Sequence, residues 1–196
     1  MRFAFLLATS TMLLSQSMDV LAEQPDTRVH QHGVARLELF KQATELQIGF
    51  YATGTDILGF EHQQQNQAQA DTVKKAIALL AAPKQLFQIE GAQCTLTQHQ
   101  SNLAELQQHA ASADGHQHEH EHEHEHEHEH EHEHSGHSDI EASYHFNCTA
   151  TTEPVTVKVN LFNLFPQLQT INSSWITERG QSAATLSVNE SQLSLN

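Results

Sequence analysis

Along residues 34–40, VARLELF, the apolar Ala35, Leu37 and Leu39 alternate with Arg36 and Glu38, and residues 45–52, ELQIGFYA, set Leu46, Ile48 and Phe50 against polar or small neighbours. A period of two puts successive side chains on opposite faces, so both stretches read as half-buried strands. KQAT, residues 41–44, joins them as a four-residue turn, and a hairpin opens the fold. The period then lengthens. Over residues 65–82, Val73, Ile77 and Leu80 fall on one face of a helix that ends before Pro83, because proline lacks the N–H that would continue the ladder. Residues 86–97 return to extended chain around Cys94, and residues 101–110 carry Leu103 and Leu106 at the spacing of one helical turn or two. Strand pattern resumes near Ile140 with Tyr144, Phe146 and Cys148, and continues through Val155 into TVKVNLF, with Val155, Val157, Val159 and Leu161 on one face. Three more strand-like pieces cover residues 170–177, 182–188 and 191–195. Seven or eight strands with one clear amphipathic helix describe an α+β fold, mainly antiparallel sheet.

The start of the chain changes the setting of this domain. Arg2 precedes an apolar run from Phe3 to Leu14 that is too short to span a bilayer. A polar stretch then closes on Val20, Leu21 and Ala22, the small-x-small pattern of a signal-peptidase site. Residues 1–22 therefore read as a signal peptide, with the mature chain beginning at Glu23; an uncleaved membrane anchor is the alternative. No cysteine lies near the cleavage point, which favours a soluble product without membrane insertion after cleavage. Export makes the compartment periplasmic or extracellular and oxidising, so Cys94 and Cys148, the two cysteines, read as a disulfide pair. Such a bridge would stabilise the fold by about 4 kcal/mol in the chain-entropy model. The alternative is two thiols that join a metal site, although paired metal-binding cysteines more often occur as CxxC.

Between the two cysteines composition collapses into HQHEHEHEHEHEHEHEHEH, residues 116–134. His116, His118, His120, His122, His124, His126, His128, His130, His132 and His134 recur at every second position, glutamate fills eight of the nine gaps, and His137 follows. Neither residue type is buried without a partner, so the tract is not core. On a helix, steps of two residues turn by about 200° and would scatter the imidazoles, whereas a strand would align them. With no apolar residues to fold it, the tract reads as a disordered insertion over residues 110–138, which divides a single domain into residues 23–109 and 139–196. A flexible chain of neutral imidazoles can bend to supply the about four ligands that Zn²⁺ takes at roughly 2 Å. Redundancy among ten histidines yields capacity and reach more than selectivity. A solubilising low-complexity loop and a pH sensor are the other readings of the tract.

Charge supports the cation reading. With 24 acidic against 9 basic residues the net charge is −15, the reverse of the basic footprint that nucleic acid demands. No nucleophile paired with a base and no glycine-rich phosphate loop stands out, so the chain does not read as an enzyme. A smaller and more ordered metal site is suggested by VHQHG, residues 29–33, and DILGFEH, residues 56–62. If the first strand extends backward, His30 and His32 keep the parity of Arg36 and Glu38 and lie on its solvent face, about 7 Å apart along the backbone. His62, with Glu61, completes the site if the loop after the hairpin folds back over that strand. His99, His109 and His145 read as structural or incidental.

The stretches HQHGVARLELF, DILGFEH, the Leu-Phe before GAQC, YHFNC, LFNLFPQL and GQSAATLSV occur in that order over nearly the whole mature chain. In them the sequence resembles the bacterial periplasmic ZrgA family. The resemblance implies zinc acquisition beside an inner-membrane ATP-driven zinc importer, and a His-rich insertion of variable length. It extends zinc binding to the His116–His137 region and a metal role to His30, His32 and His62. The function expected is capture of Zn²⁺ in the periplasm and its supply to an uptake system. The alternatives are a metal buffer or store, or a nickel or copper chaperone, because imidazole-rich sites choose weakly among divalent transition metals.

Overall fold

A computed structural model of the chain describes residues 31–104 and 139–195. The expected disordered insertion, the signal peptide, His30, His109 and His116 to His137 lie outside the described residues. The hairpin forms as the alternation requires, with β1 over Val34–Gln42 and β2 over Glu45–Thr53. Its turn is tighter than expected, because Lys41 and Gln42 still pair with Leu46 and Glu45 and only Ala43 and Thr44 remain between the strands. Ala35, Leu37, Leu39, Leu46, Ile48 and Phe50 are all buried, which is the face that the period of two assigns to them.

A five-residue helix, α1 (Gly54–Leu58), follows β2 directly. The amphipathic helix α2 spans Gln67–Leu80, opened by the Asn66 side chain, which accepts the Gln69 N–H at 3.0 Å as an N-cap. Val73, Ala76 and Leu80 are its buried residues, while Ile77 is half-buried. Proline begins the next turn rather than merely ending the last: Pro83 is the first residue of α3 (Pro83–Leu86), where its missing N–H costs nothing.

The stretch expected as one extended segment around Cys94 is two strands, β3 (Phe87–Glu90) and β4 (Cys94–Ser101), in different sheets. Gly91 separates them at φ +84, in the left-handed region that favours glycine. Beyond the segment 105–138 come β5 (Asp139–Cys148) and β6 (Val155–Val159). TVKVNLF does not stay extended to its end: the chain winds into a short helix α4, Leu161–Leu164, which buries both Leu161 and Phe162. A strand buries only alternate residues, so two adjacent apolar side chains favour the turn of helix here. The chain finishes with β7 (Thr170–Thr177), β8 (Gly180–Leu186) and β9 (Gln192–Leu195).

Nine strands among the described residues form two sheets, one of six in the order β4-β5-β2-β1-β7-β8 and one of three in the order β3-β6-β9. All strand pairs are antiparallel except β1 with β7, which run parallel. One face of the large sheet packs against α2 and the small sheet around a shared apolar core. Tyr144 of β5 sits at its centre, edge-on to Phe87 of β3 at 5.4 Å, and donates its hydroxyl to the Leu80 carbonyl at 2.9 Å. Thus one buried polar atom ties the sheet to the end of α2 without losing a hydrogen bond. Cys94 and Cys148 are register partners on β4 and β5 and form a disulfide, so their sulfurs are not metal-binding thiolates. No helix among the described residues is long and apolar enough to cross a membrane.

Candidate metal centre

The strand β1 does not extend backward through His32. Gly33 takes φ +82 and breaks the alternation, so His32 lies in a turn before Val34 and is not held by the parity of Arg36 and Glu38. The turn is nonetheless fixed from several sides. Val34 donates its N–H to the Gln31 carbonyl at 3.1 Å, and the Gly33 carbonyl accepts the N–H groups of Gln169 and Thr170, each at 2.9 Å. Most telling is the Gly33 N–H, which donates to Oδ1 of Asp56 at 2.6 Å. Asp56 is only 1 % exposed, and its second carboxylate oxygen has no hydrogen-bond partner among the described residues.

Asp56 reaches this position through the cap of α1. Thr53 is the N-cap, and its hydroxyl accepts the Asp56 N–H at 3.3 Å. Thr53-Gly54-Thr55-Asp56 has the spacing of a capping box, in which the acid normally turns back on its own cap. Here the acid reaches across to the turn beneath His32 instead. The same Thr53 hydroxyl lies 3.4 Å from Nδ1 of His32. Sequence reasoning missed both Thr53 and Asp56, although the capping-box pattern was a signal that could have found them.

The loop after α1 comes back to the turn that carries His32, which lies before β1. Gly59 ends α1 at φ +83, and the chain then brings Oε1 of Glu61 to 3.5 Å from Nδ1 of His32. His32 keeps 58 % of its side chain exposed while Glu61 keeps 17 %, so the imidazole reaches solvent over a carboxylate that is mostly covered. His62 takes another direction. Its ring stacks on Phe60 at 5.2 Å, and its Nδ1 lies 2.7 Å from the Gln63 carbonyl. Among the described residues no three His, Cys, Asp or Glu side chains gather closely enough to hold a metal ion.

Of the other histidines, His145 lies on β5, and His99 on β4 stacks against Tyr144 at 5.1 Å. Burial lowers the His99 pKa below the usual imidazole value. That environment suits a structural histidine rather than a surface ligand.

The described residues on either side of the segment 105–138 meet close to Thr53, the residue that touches His32. Asn102, just after β4, donates its side-chain amide to the Asp139 carbonyl at 2.8 Å and accepts the Glu141 N–H at 3.0 Å. Its own N–H donates to the Glu141 carbonyl at 3.2 Å, so the chain just after β4 is fastened to the start of β5. Asp139 is in turn the register partner of Thr53, the residue that touches His32. A cavity of about 220 Å³ opens here, with Gln31, Thr53, Asp139 and Glu141 in its wall.

In comparison with known proteins, a family model described as "ZrgA family zinc uptake protein" matches residues 29–195. No curated protein matches the chain significantly.

Proposed function

This chain belongs to the ZrgA family of zinc uptake proteins, and on that premise we propose that it captures Zn²⁺ in the periplasm and supplies it to an uptake system in the inner membrane. Residues 1–22 act as the signal peptide, residues 23–109 and 139–196 form one domain, and residues 110–138 are its metal-collecting insertion. The observation that carries this reading is the family match on both sides of a tract with ten alternating histidines. Neutral imidazole is a common transition-metal ligand, and the eight glutamates among them concentrate cations by their negative field.

Placement supports a division of labour. Asp139, the first residue after the proposed insertion, pairs with Thr53, next to the exposed His32. Metal collected by His116 to His134 and His137 is therefore tethered to the side of the body that carries His32, with His30 two residues before it and His62 next to Glu61. A tethered ion exchanges ligands at an effective concentration set by the tether rather than by the bulk. The body site, on a fixed turn, supplies selectivity, and the tract supplies capacity.

Titration of the mature protein with zinc against a competing chelator, with and without residues 116–137, tests this. Several ions bound by the intact chain and at most one by the deletion are expected. Equal stoichiometry in the two would remove the tract from the function.

A further inference from the structure

We propose that Glu61 and Thr53 are positioning residues that hold the His32 imidazole by Nδ1 and so present its Nε2 to the metal ion. The inference rests on the zinc-binding reading of His32. Two oxygens stand at the same ring nitrogen: Oε1 of Glu61 at 3.5 Å and Oγ1 of Thr53 at 3.4 Å. An ionised carboxylate can only accept a hydrogen bond, so it favours the tautomer that carries its proton on Nδ1. The lone pair then sits on Nε2. The Thr53 hydroxyl is compatible with this tautomer, since its oxygen accepts the Asp56 N–H at 3.3 Å and retains a second lone pair for the ring N–H; because a hydroxyl can also donate, the carboxylate of Glu61 makes the choice and Thr53 fixes the place of the ring.

Both separations exceed an optimal N–H···O bond, so the ring is guided rather than locked. The guidance nevertheless comes from fixed backbone. Thr53 is held as the cap of α1, the turn under His32 is held by Asp56 at 2.6 Å, and Glu61 is delivered by the left-handed Gly59. Exposure points the same way: Glu61 is mostly covered and the His32 ring mostly open, which leaves an outward path to the ring from solvent. A metal-binding histidine commonly donates its second N–H to a carboxylate, which fixes the tautomer and raises the basicity of the binding nitrogen. Glu61, which sequence reasoning set beside His62 in completing the site, is thereby placed behind a ligand instead.

The competing arrangement has Nδ1 of His32 and the Glu61 carboxylate both binding the ion. Nitrogen-15 spectra of ¹⁵N-histidine-labelled mature protein, with zinc added, separate the two, the His32 signals being assigned by their loss in His32→Ala. Coordination through Nε2, with a protonated Nδ1, is expected. Zinc affinity by chelator competition supplies the second readout. Glu61→Leu should weaken the tightest component about tenfold to a hundredfold, and Glu61→Gln, which keeps an oxygen acceptor, should recover part of it.

An unchanged tight component in His32→Ala would overturn the zinc-binding reading of His32, and this proposal with it. Loss in His32→Ala together with a metal-bound Nδ1, or with unaltered affinity in Glu61→Leu, would overturn the positioning role alone. The nitrogen assignment is made on the unsubstituted protein, so it decides between the two arrangements even if Glu61→Leu does not fold.

Discussion

His99 shows how one side chain converts burial into pH dependence. Its Nε2 is buried without a hydrogen-bond partner among the described residues, and its ring lies against Tyr144. Burial disfavours the imidazolium, so the folded pKa is lowered from 6.5. As pH falls through 6.5 the unfolded chain takes up a proton that the folded chain refuses. Stability contributed by the neutral ring is present above that pH and is lost progressively below it, until the folded pKa is passed. Tyr144 is perturbed in the opposite sense, its phenol pushed up by burial, and remains neutral throughout. His99→Phe keeps an aromatic ring on Tyr144 and removes the titration. Urea midpoints measured at about pH 7.5 and 5.5 should therefore differ less in this variant than in the natural protein. Equal differences would show that His99 does not carry the dependence.

Among the elements, two glycines with nearly the same backbone angle perform different tasks. Gly91 at φ +84 takes the chain out of β3 and into β4 in the other sheet, while Gly59 at φ +83 closes α1 and turns the chain toward Glu61. An added Cβ at Gly91 would meet the Pro154 carbonyl oxygen at 2.3 Å, whereas one at Gly59 meets nothing within 4 Å. Gly59→Ala should cost only the strain of a left-handed alanine, roughly 1–2 kcal/mol. Gly91→Ala should cost more, because the segment before β6 must also move. Chemical denaturation of the two variants gives the comparison. If Gly59→Ala proves the more destabilising, the contact at Pro154 does not set the turn. The same pair bears on a boundary: residues 86–97 read as one extended segment, whereas the chain breaks at the left-handed Gly91, where the Pro154 carbonyl leaves no room for a Cβ.

For the whole molecule, the disulfide Cys94–Cys148 spans a sequence separation of 54 and so bridges the bases of β4 and β5 beyond the insertion. Chain entropy assigns it about 4 kcal/mol. Because that contribution grows only with the logarithm of loop length, deleting residues 116–137 should lower it by roughly 0.5 kcal/mol. Comparing unfolding of oxidised and reduced protein, with and without the tract, checks both values; a much smaller difference in the deletion would mean that the tract itself takes part in the fold. Other features divide along the same line between local and distant causes. Alternation in VARLELF and ELQIGFYA, the apolar face of α2, and the strand at residues 170–177 were legible because side-chain direction follows from backbone geometry within a few residues. The identity of the tract and the excess of acid are likewise properties of the sequence alone. Parallel pairing of β1 with β7, the division of strands into sheets of six and three, and the meeting of His32 with Thr53 and Glu61 were not legible. Each depends on which apolar faces come together to exclude water, and that is settled by residues distant in the chain acting at once.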